Sequence, residues 1–583
     1  MEKKPYTISG LTTLALYAAY VTFMSMLSVW LNSTIVAGIQ SVRPGLKTLD
    51  QILAAPIPIP STFNFLMLEQ DRPFTSPFLG TGFVAVILSF FMRPDLACQV
   101  CSWIGARWKY VLACVFASMV AATYGAYHAY PLAMDEFIPE FQAMIFESGH
   151  WIAQWPRQVA MGNPHRYHFF AASPATGNVM SAYWPGYALV KTPFMAMGIS
   201  PWLNPLLAVA FGWIMVKICR GEALALDDGP DREETTGWVL LLSFATASFW
   251  LHAVSFYAYM GIIACNALVL ILASRGTRNS LFAAGCVGGL GLALVNPMPH
   301  LLFAIPVVAW SVFRDRWNSR HLIYGYLCTG IPLVFVWPVL VFMVLNNVPL
   351  TLHAWVNVLV QGSWIKDLMG RGWSGAPLFE TNVTTAFKHE LWTFPGFTFF
   401  ALAGLWMARG KAIARVCLVQ TVLVIFFYMT RVRFNQGFGW GARYLVALWP
   451  CFILGLFFLI QRVRRVQPRV MNFIFVCAML SVLVLVPARL FQAEALIWRQ
   501  MSADPCREMK SGELCVVIPR DGHSTDYVRP LPFLADGKIR VSARTRAEEL
   551  FLANQLLRTP FRKTDSWMGS IWATGVTPAT SIK

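Results

Sequence analysis

The sequence predicts an all-α polytopic membrane protein of about 11 to 13 transmembrane helices, with external amphipathic helices and a small C-terminal α/β external domain. Three observations predict it. Hydrophobic side chains make up 56% of the 583 residues and charged ones 13%, with a mean hydropathy of +0.53, so the chain's main solvent is lipid. Apolar runs long enough to cross ~30 Å of hydrocarbon recur along it. Lys and Arg gather in alternate connections between those runs, the bias expected of loops retained in the cytoplasm.

In order, the runs lie near 11–36, 78–92, 109–129, 201–219, 237–255, 257–274, 280–295, 300–313, 322–346, 392–408, 412–430, 443–461 and 470–488. The first follows "MEKK" as a signal sequence would, but no small-residue cleavage site follows it, so it reads as an uncleaved anchor. Alternation places "MEKK", Arg93, Arg107 and Lys109, Lys217 and Arg220, Arg275 and Arg278, "FRDRWNSRH", Arg409, Lys411 and Arg415, and "QRVRRVQPR" on one side. That side is the cytoplasm. The formal charge of +17 then follows from topology and from contact with anionic headgroups, and no nucleic-acid partner is needed to explain it.

The opposite face receives the long segments 38–77, 130–200 and 347–391, and a tail from about 489 to 583. Loops of that length are uncommon unless functional or folded in their own right. The division expected is a two-helix addition at 1–108, a transmembrane core at 109–488 and a C-terminal domain at 489–583. Within the tail, "ELCVVIPRDG" and "GKIRVSA" read as strands and "RAEELFLANQLL" has helical periodicity. Cys506 and Cys515 lie there and could be joined in an oxidising compartment. Cys98 and Cys101 form a lone CxxC with no partner pair nearby, and read as two separate thiols rather than a zinc site. No ligand cluster indicates a metal, although a divalent ion stays possible.

Chemistry-bearing residues concentrate in "PLAMDEFIPEFQAMIFESGHW". A helix opening there with Asp135 as N-cap would hold Pro139 in its first turn and place Phe137, Phe141 and Ile145 on one stripe. Asp135 and Glu136 would stand at the membrane rim. Two carboxylates at a helix start also serve as an ordinary acidic cap stabilised by the helix dipole.

The order of a membrane helix, an Asp-Glu pair opening an amphipathic helix, then "NVMSAYWPGYALVKTPFMAMGISPWLNPLLAVAFG" and paired helices, resembles the type C glycosyltransferases of the protein O-mannosyltransferase and aminoarabinose transferase kind. "GFGWGARYLVALWP" at 437–450 and the C-terminal tail add to the resemblance, which covers roughly residues 109–583. It implies an inverting enzyme that takes a sugar from a polyprenyl phosphate outside the membrane and passes it to an acceptor hydroxyl. By that resemblance Asp135 is the catalytic carboxylate and Glu136 the acid that follows it. A base is needed because a hydroxyl is a poor nucleophile until a carboxylate accepts its proton.

A leaving phosphate calls for fixed cations. Arg443 in "GARYL" and Lys191 in "YALVKTPF" are the candidates, the latter in a stretch that departs from the family's Lys-Pro-Pro. Either could instead be a snorkelling anchor. In the 347–391 loop, Trp364, Arg371 and Trp373 suit a lid that contacts sugar, although an interfacial aromatic belt explains the individual Trp residues better, and Tyr444 beside Arg443 is a further candidate for sugar or acceptor binding. The partners expected are membrane lipids, the polyprenyl-phosphate sugar, and a lipid, glycan or protein acceptor. The setting expected is a bacterial inner membrane, with the N-terminus cytoplasmic and the site periplasmic. A transporter or lipid-linked sugar flippase, or a structural or sensory membrane protein, also fits the helix count.

Overall fold

The computed structural model describes residues 10–42, 45, 51, 66–162, 169–221, 232–362, 379–431, 440–504, 513–518, 529, 531–534, 539–542, 562–565 and 571–576. Every apolar run carries helix. Among the described residues, six helices are long and apolar enough to cross a membrane, or up to eight if each of two bent pairs is one span. The helices Tyr259–Arg275, Phe397–Met407 and Ala412–Tyr428 are apolar but shorter.

Two departures from the expected helices are local. The run 237–255 is broken: the helices Arg232–Phe244 and Ala247–Val254 meet at 72°, and Trp250 Nε1 donates to the Phe244 carbonyl at 2.8 Å across the break. The connection before Trp108 is itself a helix, Pro94–Ala106, set at 82° to the helix Trp108–Gly125. Elsewhere small residues set how near two helices come. A Cβ on Gly285 would lie 2.0 Å from the Leu322 carbonyl oxygen, so the helices Arg278–Leu292 and Arg320–Gly330 pack backbone to backbone only because glycine stands there.

Segment 136–198, where interfacial helices are expected, also carries a sheet. Its strands are β1 (Ala153–Gln154), β2 (Phe170–Ala172) and β3 (Asn178–Ser181), antiparallel in the order β1-β3-β2. It lies between the helices Met134–Glu147 and Gly186–Ala196. Near the C-terminus β4 (Glu513–Ile518), β5 (Ile539–Ser542), β6 (Arg562–Asp565) and β7 (Ile571–Val576) form a second sheet in the order β5-β4-β7-β6, with β4 and β5 parallel. β4 and β5 fall on the two runs read as strands. The helical run at 546–557 and Cys506 lie outside the described residues, as does the side chain of Cys515.

A buried ion cluster ties the N-terminal helices to the rest. Asp71 accepts from Lys388 at 2.8 Å, from Arg489 at 2.9 Å and from Trp392 Nε1 at 2.7 Å. The Arg489 guanidinium is sandwiched between the Phe74 ring at 3.7 Å and the Trp392 ring at 4.1 Å. All three charged groups are buried. Asp71→Asn would remove the buried carboxylate charge that Lys388 and Arg489 share. It is expected to cost about 3–5 kcal/mol, seen as a lowered thermal midpoint of the purified protein in lipid. The same loss is not expected from Arg499→Ala, since the Arg499–Glu69 pair is partly exposed and such pairs contribute little.

Candidate active site

The helix Met134–Glu147 opens with Ala133, not Asp135, at its N-cap. Glu136 and Phe137 donate their backbone N–H groups to the Ala133 carbonyl at 3.0 Å, which starts the helix two residues earlier than expected. Asp135 and Glu136 therefore sit within the first turn, favoured by the positive end of the helix dipole. Pro139 is moved beyond that turn into the helix. Phe137, Phe141 and Ile145 are buried, as their spacing requires.

Asp135 and Arg443 meet, although 308 residues separate them in sequence. Arg443 Nη1 donates to Asp135 Oδ2 at 2.7 Å, and the Tyr183 hydroxyl donates to Asp135 Oδ1. The Asp135 side chain retains 22% exposure and Arg443 only 9%. Arg443 begins the 3₁₀ turn Arg443–Leu448, after Gly441, whose φ of +75° and whose crowding against Ser248 and Trp392 exclude a side chain. Its guanidinium carbon lies 5.3 to 5.9 Å from the ring centres of Tyr257, Tyr259 and Tyr444. Tyr183 is held from behind: Trp337 Nε1 donates to its carbonyl at 2.6 Å. Burial, and then the neighbouring Asp135 charge, push the Tyr183 phenol well above its usual range, so it stays a donor to the carboxylate.

These groups border a narrow cleft lined by Asp135, Pro139, Tyr183, Tyr257, Ala258, Tyr259, Leu294 and Val295. Three phenols and one carboxylate in an otherwise apolar wall can fix hydroxyl groups. The carboxylate can take a proton, and the adjacent guanidinium can balance a growing negative charge.

Glu136 points away from this cleft. It is fully buried and accepts from the Tyr127 hydroxyl at 2.6 Å and from the Leu132 backbone N–H. Tyr127 in turn accepts from Trp440 Nε1 at 2.9 Å, so Glu136 joins its own helix to the loop that leads into Arg443. Burial pushes the Glu136 carboxyl up to about 7, against the two hydrogen bonds and Arg529, which favour the ion. With the folded value above the unfolded one, the folded state binds the extra proton, so stability is full below about pH 4.5 and declines until about pH 7. Glu136→Gln is expected to remove that slope, worth about 3 kcal/mol across the window. Chemical unfolding at pH 4.5, 6 and 7.5 measures it, and an unchanged slope would exclude Glu136 as its source.

Lys191 lies elsewhere. It is buried, 3.5 Å from Glu140 Oε1 and 4.5 Å from the Phe256 ring centre, and Glu140 also accepts from Ser200 at 2.9 Å. Burial lowers the Lys191 amine from its usual value, partly offset by Glu140. Tyr444 lies beside the Arg443 guanidinium and is stacked on Tyr428, with ring centres 5.0 Å apart. Trp364, Arg371 and Trp373 lie outside the described residues. Among the described residues no group of three or more His, Cys, Asp or Glu could hold a metal ion.

Sequence reading missed Tyr183, Tyr257, Tyr259, Tyr127 and Trp440. A faint signal existed for two of them: "FYAY" places tyrosines two apart in a break between helices, where neither is needed to span lipid.

No family model matches the chain, and no curated relative does. Similar solved structures include ArnT from Cupriavidus metallidurans bound to undecaprenyl phosphate, with a TM-score of 0.51 and 12% identity over 81% of this chain and 98% of that one. The same enzyme in the apo state gives 0.49 at 13% identity, over 82% and 99%. The archaeal oligosaccharyltransferase AglB from Archaeoglobus fulgidus, in complex with an inhibitory peptide and a dolichol-phosphate, gives 0.43 at 12% identity, over 78% and 69%. The chain thus has the type C glycosyltransferase fold of ArnT, as its motifs led us to expect.

Proposed function

We propose that the protein is an integral-membrane, inverting glycosyltransferase that moves a hexosyl or pentosyl group from a polyprenyl phosphate to an acceptor hydroxyl, with Asp135 as the base. The observation that carries this reading is the Asp135–Arg443 pair at the cleft, in a fold shared with a protein solved with undecaprenyl phosphate. The acceptor O–H gives its proton to Asp135, its oxygen forms a bond to the anomeric carbon, and the bond from that carbon to the phosphate oxygen breaks. Polyprenyl phosphate leaves carrying the negative charge that Asp135 has lost. Arg443 stands beside both charges: as the carboxylate is neutralised its hold weakens, and the planar guanidinium turns toward the phosphate.

A phosphate leaves without a protonating acid, so one base suffices, unlike the two carboxylates of glycoside hydrolysis. Glu136 orients the Asp135 turn through Tyr127 and Leu132, and Tyr444 borders the sugar. Lys191 serves the phosphate only if its pair with Glu140 opens. The setting that fits is a bacterial inner membrane with this cleft and the C-terminal sheet on the periplasmic side.

Purified protein in lipid, given labelled polyprenyl-phosphate sugars and lipids, glycans or peptides as acceptors, tests the reading. Transfer of label to an acceptor is the expected result. Donor lipid carried across the bilayer with its sugar still attached would overturn it in favour of a flippase.

A further inference from the structure

The C-terminal segment at 529 and 531–534 lies across the element that carries Asp135. Arg529 Nη2 donates to the Leu132 carbonyl at 2.9 Å, with its guanidinium carbon 4.1 Å from the Tyr130 ring centre. Two residues on, the Leu531 carbonyl accepts from Trp155 Nε1 at 3.3 Å, and the Phe533 ring meets His150 at 5.4 Å. The segment thus touches the turn before the Met134–Glu147 helix, the residues just after it, and the sheet beyond. Leu132, whose carbonyl Arg529 holds, donates its own N–H to Glu136. Glu136 is the residue next to Asp135.

We propose that Arg529 is a positioning residue for the Asp135 site: by clamping the Tyr130–Leu132 turn it fixes Glu136, and through Glu136 the helical turn on which Asp135 meets Arg443. The inference rests on the reading of Asp135 as the base. A surface brace would need no charge at this point, yet Arg529 is one of two cations near the buried Glu136 carboxylate. The titratable groups facing Glu136 are Tyr127, Tyr187, Lys191 and Arg529. Tyr127 and Tyr187 stay protonated through the neutral range, because burial raises both phenols. Lys191 is paired with Glu140. Removing Lys191 would also break that pair, so Arg529 is the cation chosen for the test.

The test uses the full chain in lipid, with Arg529→Ala, Arg529→Lys and Glu136→Gln. Infrared titration of the buried carboxylic acid stretch, assigned by its loss in Glu136→Gln, needs no substrate. Arg529→Ala is expected to raise the Glu136 midpoint by roughly one pH unit, since a nearby cation favours the carboxylate. Arg529→Lys keeps the charge and is expected to hold the midpoint near wild type. With a donor that the wild type uses, Arg529→Ala is expected to lower kcat about tenfold while the donor KM stays within about twofold, the pattern of a displaced reacting group. Arg529→Lys is expected to recover part of that loss.

An unmoved midpoint in Arg529→Ala, or a kcat equal to wild type, would overturn the proposal. So would a loss of rate that is the same at every pH with Glu136 unshifted, which is a brace and nothing more. If the wild type transfers no sugar but Arg529→Ala still moves the Glu136 midpoint, the coupling stands and the transferase reading falls.

Discussion

Asp135→Asn is expected to lower sugar transfer about a thousandfold, within the range that a positioned general base contributes, while the protein still accumulates in the membrane. Asparagine has nearly the shape of aspartate, and its carbonyl can still accept from the Tyr183 hydroxyl. What it cannot do is take the acceptor's proton. Its neutral side chain also leaves Arg443 without a counter-charge, but the 22% exposure of the Asp135 side chain lets water share that charge. The thermal midpoint should therefore fall by less than in Asp71→Asn. Single-turnover rates at saturating donor measure the effect on chemistry alone. A residual rate within about tenfold of wild type would remove Asp135 as the base.

Asp135 and Glu136 have different surroundings because successive residues on a helix point about 100° apart. Asp135 looks into the cleft and Glu136 into the protein. Both are then tied to the same short stretch, Asp135 to Arg443 directly and Glu136 to Trp440 through Tyr127. Two attachments on adjacent faces of one turn remove its freedom to rotate. Glu136 is fully buried, with its carboxyl pushed up to about 7, whereas the Asp135 side chain keeps 22% exposure at the cleft.

The helices and the carboxylate pair were legible because both are local. Apolar length marks a span, and a charge beside an apolar run stands out against it. Arg443 was also legible, as a cation at the start of a late helix, but its pairing with Asp135 was not, since nothing local connects positions 308 residues apart. The fold brings Tyr183 to Asp135 and Tyr259 to the Arg443 guanidinium. The break between Phe244 and Ala247 contains neither Pro nor Gly; tertiary contacts impose it against local propensity. Strands of two to four residues, like those of the β1-β3-β2 sheet, are too short to show a period. Nothing local shows that Lys191 is buried against Glu140, since the two are 51 residues apart and the fold brings them together.

Arg443→Ala is expected to reduce kcat/KM for the polyprenyl-phosphate donor by about a hundredfold or more, the scale of losing one preorganised donor to a developing anion. The acceptor KM should change little, because the acceptor hydroxyl meets Asp135 rather than the guanidinium. Inhibition by free polyprenyl phosphate separates this role from simple support of Asp135. If Arg443 holds the phosphate, the variant loses product inhibition together with rate. If it only orients the carboxylate, rate falls and inhibition stays. Arg443→Lys sharpens the distinction, since lysine restores the charge but not a planar fork able to reach two partners. It should recover part of the product affinity and little of the turnover, for the charge that leaves Asp135 must be met at the phosphate by the same group. Donor kinetics and product inhibition both equal to wild type in Arg443→Ala would exclude a phosphate role for this residue.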